Sequence, residues 1–136
     1  MNKKLSKINI AVTRPSIYSR PLERAISAQD GVPVMLPGLE IVEMDNRKVD
    51  KRLDLLGAGH YIFVSRSAAR IGGKILLSHS NSISKSRVYA IGEGTKRELL
   101  SLGFRSVSVP CTGQDSEALL ELPGLKNISG DKLVVV

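Results

Sequence analysis

The chain has 136 residues and a formal net charge of +7 at pH 7. This length is sufficient for one domain with a core of its own, and a hydrophobic content of 42% without tryptophan predicts a mainly aliphatic core. The positive charge favours an anionic partner. Since the basic residues are scattered and only two phenylalanines and three tyrosines can stack on bases, we expect a small polyanion rather than nucleic acid.

Several classes of site are disfavoured by the residue types. Cys111 is the single cysteine, so no disulfide framework forms within the chain. His60 and His79 have no cysteine, histidine or carboxylate at ligand spacing, and both are predicted to be ordinary loop or strand-edge residues without a metal. No apolar run approaches the length of a membrane span, and the N-terminus lacks the apolar stretch of a signal peptide. We therefore expect a cytoplasmic protein.

The first part of the chain predicts a strand, a helix and a second strand. The apolar run 8–15, "INIAVTRP", is typical of a buried parallel strand. Ser19 is a candidate N-cap with a proline in the first turn behind it, and Gly31 is predicted to stop the helix. Residues 32–41 predict the second strand, and Pro33 and Pro37 either restrict its ladder hydrogen bonds or place it at an edge.

A charged stretch at 42–52 predicts a connector that leads into a short helix at about 49–56. Beyond it the alternation resumes, and the predicted segments are a strand at 60–65, a helix at 67–77, a polar loop at 78–86, a strand at 87–92, a helix from Thr95 to Leu102 that a glycine stops, a strand at 106–110, a helix capped by Ser116 and ended by Pro123 and Gly124, and a strand at 132–136. This alternation predicts an α/β fold with a mostly parallel sheet. We expect residues 8–41 to lie in a different sheet from residues 60–136.

Polar turns follow three of the predicted strands, where open α/β sheets bind their ligands. These turns are Thr13 and Arg14, then Ser65, Arg66 and Ser67, then Gly92, Glu93, Gly94 and Thr95. Glycines and helix N-termini present N–H groups to an anion, and the two arginines have the geometry to hold carboxylates. At any single turn Thr13, Ser67 and Thr95 are more simply helix caps or turn residues and the arginines solvated, but three such turns favour a shared ligand cleft.

Known nucleotide motifs do not fit the third turn. The stretch "GEGTKR" lacks the third glycine of a dinucleotide fingerprint, and the chain has no Walker lysine pattern. Glu93 is the only carboxylate in the three turns, and we expect it to be solvated rather than a catalytic acid. A receiver-like module is disfavoured because Thr13 and Arg14 stand where its acidic cluster would follow the first strand.

In order and spacing, five segments resemble the uroporphyrinogen-III synthase family. These are "IAVTRP", "PVMLPGLEI", "YIFVSRSAAR", "VYAIGEGTKRELLSLGF" and "QDSEALLELPGL". Val64 and Ser67 depart from the family, which often has threonine and asparagine there. The resemblance implies two flavodoxin-like domains, with residues 1–40 as the opening piece of the first and 41–136, including the connector at about 41–52, as most of the second.

The resemblance also implies the reaction. The family closes hydroxymethylbilane, a linear polycarboxylate tetrapyrrole, to uroporphyrinogen III with inversion of the last ring, as a monomer and without a cofactor or metal. The polar residues of all three turns would bind substrate carboxylates, while no catalytic residue is identified. Because a strand at 132–136 would need a covering helix, we expect an incomplete member with little activity alone that self-associates. The alternative is a non-catalytic flavodoxin-like module that binds anions.

Overall fold

The computed structural model describes residues 4–43, 57–79 and 83–136. The predicted helix at about 49–56, the connector beyond residue 43 and residues 80–82 of the predicted polar loop lie outside these described residues. The chain divides into two compact units, Met1–Met44 and Asp45–Val136. The domain boundary drawn from the sequence at residues 40 and 41 stays a prediction.

The first unit is a strand–helix–strand motif. Strand β1 spans Asn9–Val12, a 3-10 turn Ser16–Tyr18, helix α1 Arg20–Ala28 and strand β2 Val32–Met35. The two strands pair in parallel from Asn9 opposite Val32 to Val12 opposite Met35. Both strands are shorter than predicted, although Leu36 still donates a backbone hydrogen bond to the Val12 carbonyl and Gly38 donates one to the Thr13 carbonyl.

Both predicted ends of α1 need correction. Ser19 stands at the N-cap, but its backbone is already helical and its hydroxyl accepts nothing from the helix; it bonds instead to the Ser16 carbonyl and the Glu23 carboxylate. The preceding 3-10 turn imposes this helical backbone. At the other end the helix stops at Ala28, before Gly31, and Asp30, with φ 62°, takes the left-handed conformation that often follows a helix. Aspartate tolerates this conformation better than most side chains do.

The second unit is a three-stranded parallel sheet with helices between its strands. Its elements in chain order are strand β3 (His60–Phe63), helix α2 (Arg66–Ser78), strand β4 (Arg87–Ala90), helix α3 (Glu93–Leu102), helix α4 (Ser116–Leu120), helix α5 (Pro123–Lys126) and strand β5 (Leu133–Val135). The strand order is β4-β3-β5, and β1 and β2 form a different sheet, as expected. The α/β class with flavodoxin-like parallel sheets is confirmed.

The predicted strand at 106–110 is reduced to one bridge. Ser108 pairs in parallel with Tyr89, through hydrogen bonds of 2.9 Å from its N–H to the Val88 carbonyl and from the Ala90 N–H to its own carbonyl. Pro110 has no N–H with which to continue the ladder. If this bridge is counted as a strand, the chain forms β3 first, adds β4 and then the bridge on one side of it, and finally places β5 on the other side of β3. The switch point of the sheet therefore lies between β3 and β5.

Alternation along the strands builds a core on each face of this sheet. Tyr61 and Phe63 of β3 face the cluster that α2 and α3 cover, whereas Ile62 between them belongs to the cluster covered by α4 and α5. The first helix pair follows the sequence prediction closely, and Gly103, with φ 113°, ends α3 in the left-handed conformation. Burial on both faces explains why the strands read as continuous apolar runs.

The segment after the bridge differs from its prediction. Asp115, not Ser116, caps α4: its backbone is extended and its carboxylate accepts from the Ala118 N–H at 2.8 Å. Pro123 and Gly124 do not end that helix, which stops at Leu120. Pro123 instead begins α5, where the first position of a helix requires no N–H donor.

His60 is also misplaced by the sequence prediction. It opens β3, its side chain is only 2% exposed, and its ring bonds to the Tyr89 hydroxyl and the Asp131 carboxylate at 3.2 and 3.1 Å. His79 agrees better with the prediction of an ordinary loop residue. It forms the C-cap of α2, and its Nδ1 atom lies 3.0 Å from the Ile75 carbonyl oxygen.

Candidate functional site

The turn after β3 begins helix α2. Ser65 has an extended backbone and its hydroxyl accepts a hydrogen bond from the Ala68 N–H at 3.0 Å, so this serine is the N-cap. Arg66 and Ser67 occupy the first helical positions, and both side chains are half-buried. The cap is thus Ser65 rather than Ser67, and Arg66 lies half-buried at the carboxyl edge of the sheet.

The turn after β4 begins helix α3 without a capping side chain. The helix starts at Glu93 rather than at Thr95 as predicted, because buried Gly92 is extended at φ −169° and forms the N-cap. Thr95 lies in the first turn and is only 4% exposed. The N–H groups of Glu93 and Gly94 have no intrahelical acceptor at these positions. This helix end is therefore a region of partial positive charge.

The structure brings these two turns together. Backbone pairing places the strand ends side by side, since the Ile91 N–H donates to the Phe63 carbonyl at 3.1 Å. A Cβ atom on Gly94 would lie 3.3 Å from Cδ and 3.5 Å from Nε of Arg66. The absent side chain of Gly94 thus leaves room for the arginine to pack across the start of α3. A guanidinium group and a helix N-terminus converge at this point.

A cavity of about 720 Å³ lies beside the turn after β4. Gly92, Glu93 and Lys96 line one wall. Residues 107–111 and Gln114 line the opposite wall, and the Gln114 side chain lies so close to Gly92 that a Cβ there would stand 2.9 Å from its Oε1 atom. Sequence reasoning missed Lys96 and this opposite wall. Part of the signal was present, because Cys111 and Gln114 follow the predicted strand at 106–110 as the other turns follow their strands.

The charges in this cavity are few. Lys96 Nζ lies 3.7 Å from Glu93 Oε1, and the Glu93 side chain is 60% exposed. The expectation that Glu93 is solvated rather than a buried catalytic acid agrees with this exposure. Within the described ranges, no three histidine, cysteine or acidic side chains cluster as metal ligands would. Binding through N–H groups, Lys96 and Arg66 is the chemistry that these residues offer an anion.

The first predicted turn lies in the other unit. Thr13 and Arg14 follow β1, both are exposed, and the Thr13 carbonyl accepts a hydrogen bond of 3.2 Å from the Gly38 N–H. Their participation in one cleft with the turns after β3 and β4 stays a prediction.

Comparison with known families decides the affiliation of the chain. The family model described as uroporphyrinogen-III synthase HemD matches residues 3–136. The chain belongs to the uroporphyrinogen-III synthase family. This membership confirms the resemblance and supports a synthase-like lyase function in tetrapyrrole biosynthesis, with a small polypyrrole as substrate. No curated protein matches the chain. In the described part of the chain, no helix is long and apolar enough to cross a membrane.

Proposed function

We propose that this chain is a uroporphyrinogen-III synthase that closes hydroxymethylbilane with inversion of ring D. One observation carries the proposal beyond family membership. Arg66 packs across Gly94, so that a guanidinium group lies at the uncapped start of α3. A carboxylate placed there would meet a bidentate cation and oriented N–H groups together. The substrate of the family carries acetate and propionate arms, which supply such carboxylates.

The proposed reaction needs positioning more than strong acid–base groups. Loss of the terminal hydroxyl as water leaves an azafulvene cation, which the far pyrrole attacks to form a spiro intermediate. Fragmentation and renewed closure then give the inverted ring. Because the substrate also closes unaided to the type I isomer, the protein must hold one geometry, and a misplacement of about 1 Å is enough to cost about 10²-fold in rate. The turns after β3 and β4 would hold carboxylate arms for this purpose.

A non-catalytic anion-binding module is the second candidate. The observation in its favour is the exposure of Glu93, since the two turns of the second unit offer no buried carboxylate that could move a proton. Both candidates use the same anion-binding residues. They differ only in whether binding changes the outcome of ring closure.

The isomer ratio separates the two candidates. Hydroxymethylbilane is incubated with the chain, the products are oxidised, and type I and type III uroporphyrins are resolved by chromatography. Since we expect little activity from this chain alone, the type III fraction should rise only slightly above that of the uncatalysed reaction, and in proportion to protein concentration. A ratio that stays at the uncatalysed value, while the bilane demonstrably binds, would establish the module and refute the synthase.

A further inference from the structure

A second cavity, of about 440 Å³, lies on the face of the sheet that α4 and α5 cover. Strand alternation turns polar groups towards it. Val88 and Val107 point into the core beneath α2 and α3. Their sequence neighbours Arg87, Ser106 and Ser108 therefore point to the opposite face, and all three line the cavity. A guanidinium group and two hydroxyls thus converge on one space.

These three side chains are available to a ligand. Within the part of the chain that the structure describes, none of them takes part in a hydrogen bond or an ion pair through its side chain, and all three are exposed. Their backbones are nevertheless fixed. The Arg87 N–H donates to the Gly59 carbonyl at 2.8 Å, and Ser108 forms the bridge to β4. The polar groups are therefore held on pairing backbone rather than on a free loop.

The rear wall of the cavity is rigid and partly apolar. Tyr89, only 2% exposed, donates its hydroxyl to the Gly124 carbonyl at 3.0 Å and stacks on His60 with ring centroids 5.8 Å apart. Leu122 and Pro123 complete the wall with apolar surface. No carboxylate of the described residues lines this space. A ligand that fits has a negative head for Arg87 and an apolar body for this wall.

We propose that this cavity is a second binding site, which takes an oxyanion, a carboxylate or a phosphate, carried on an apolar body. Arg87 supplies the charged fork, and the hydroxyls of Ser106 and Ser108 donate to the remaining oxygens. The site does not depend on the synthase function, because it lies away from Arg66 and Gly94. It shares only Ser108 and Leu122 with the larger cavity.

The test is a titration of the isotopically labelled full chain, followed by amide NMR shifts, with benzoate and with inorganic phosphate as probes at constant ionic strength. We expect saturable shifts at residues 87 and 106–108. Replacement of Arg87 by glutamine should weaken binding by about 10-fold, the loss of one charge-assisted contact. Arg97→Gln is the matched control, since Arg97 is an exposed arginine on α3 that does not line the cavity.

A milder variant guards against an effect on folding. Ser106→Ala removes one exposed hydroxyl, and we expect it to weaken the binding of whichever probe saturates by about 3-fold. Tighter binding of benzoate than of phosphate would assign the site to organic acids, and the reverse order to phosphorylated ligands. Shifts that do not saturate, or that are unchanged in both Arg87→Gln and Ser106→Ala, would overturn the proposal.

Discussion

The contact between Gly124 and Tyr89 gives a prediction whose size follows from the distances. A Cβ added to Gly124 would stand 2.5 Å from the Tyr89 hydroxyl oxygen, which no real contact allows. The ring cannot move away cheaply, because Tyr89 is buried and stacked on His60. Gly124→Ala should therefore lose the hydrogen bond and strain the core, at a cost of about 2–3 kcal/mol. Higher helix propensity offsets about 0.5–1 kcal/mol, leaving a net loss of about 1–2.5 kcal/mol.

Removal of the hydroxyl should reverse this result. In Tyr89→Phe the nearest atoms to the new Cβ would be ring carbons at 3.4 Å, which is ordinary contact. The single variant Tyr89→Phe should cost about 1–2 kcal/mol, because the Gly124 carbonyl and His60 Nδ1 both lose the hydroxyl as a partner. Adding Gly124→Ala to that variant should then be neutral or slightly stabilising. The two substitutions would couple by about 2 kcal/mol.

Urea unfolding of the four proteins, followed by circular dichroism, measures this coupling. The slopes of the four transitions must agree for the comparison to report stability alone. If Gly124→Ala costs the same free energy with tyrosine and with phenylalanine at position 89, the close approach of the hydroxyl is not what requires glycine, and the reasoning fails.

Three further substitutions test the rest of the second unit. Leu99→Ala removes a fully buried side chain from the core under α2 and α3, and it should lower the free energy of unfolding by about 2–5 kcal/mol; a loss under about 1 kcal/mol in a urea titration would contradict that core. Gly103→Ala forces a side chain into a φ of 113° and should cost about 1 kcal/mol, so an unchanged urea midpoint would argue against the left-handed helix end. The Lys126 ammonium donates a hydrogen bond to Glu121 and attracts its charge, which lowers the pKa of that carboxyl; Lys126→Gln should raise it towards the ordinary value in a carbon NMR titration. The ion pair stabilises the fold fully at a pH above the ordinary pKa of glutamate, and this stabilisation is lost as the pH falls through the lowered pKa. The free energy of unfolding of Lys126→Gln should therefore fall less on acidification than that of the natural chain. An equal fall in both proteins would count against the pair.

Local patterns in the sequence were sufficient to predict the architecture. Short apolar runs separated by helical spacings predicted all five strands of the described residues. In β3 and β4 these runs are continuous because strands buried on both faces cannot alternate with polar residues. The glycine stop at Gly103 was also readable, since few other residues adopt its backbone conformation. The turns after β3 and β4 followed from the rule that ligands bind at the carboxyl ends of parallel strands.

Features that depend on remote contacts were not predictable. The ring of His60 on β3 bonds to Tyr89 on β4 and to Asp131, which precedes β5. These partners are distant in the sequence, and no pattern near His60 predicts its burial. The packing of Arg66 over Gly94 likewise depends on how β3 and β4 pair. Asp115 was missed for another reason: both it and Ser116 are good caps, and only the extended backbone at Asp115 decides between them.

The role of Arg66 as a holder of substrate carboxylates is tested most directly by binding of a bilane that lacks the terminal hydroxyl and so cannot close. Its affinity is measured by fluorescence or calorimetry for the natural chain, for Arg66→Gln and for Arg97→Gln, at two salt concentrations. We predict that Arg66→Gln weakens binding by about 10-fold, most clearly at low salt, while Arg97→Gln, which changes net charge equally, has little effect. Equal losses in the two variants would reduce the effect to net charge and contradict a site at the turns after β3 and β4.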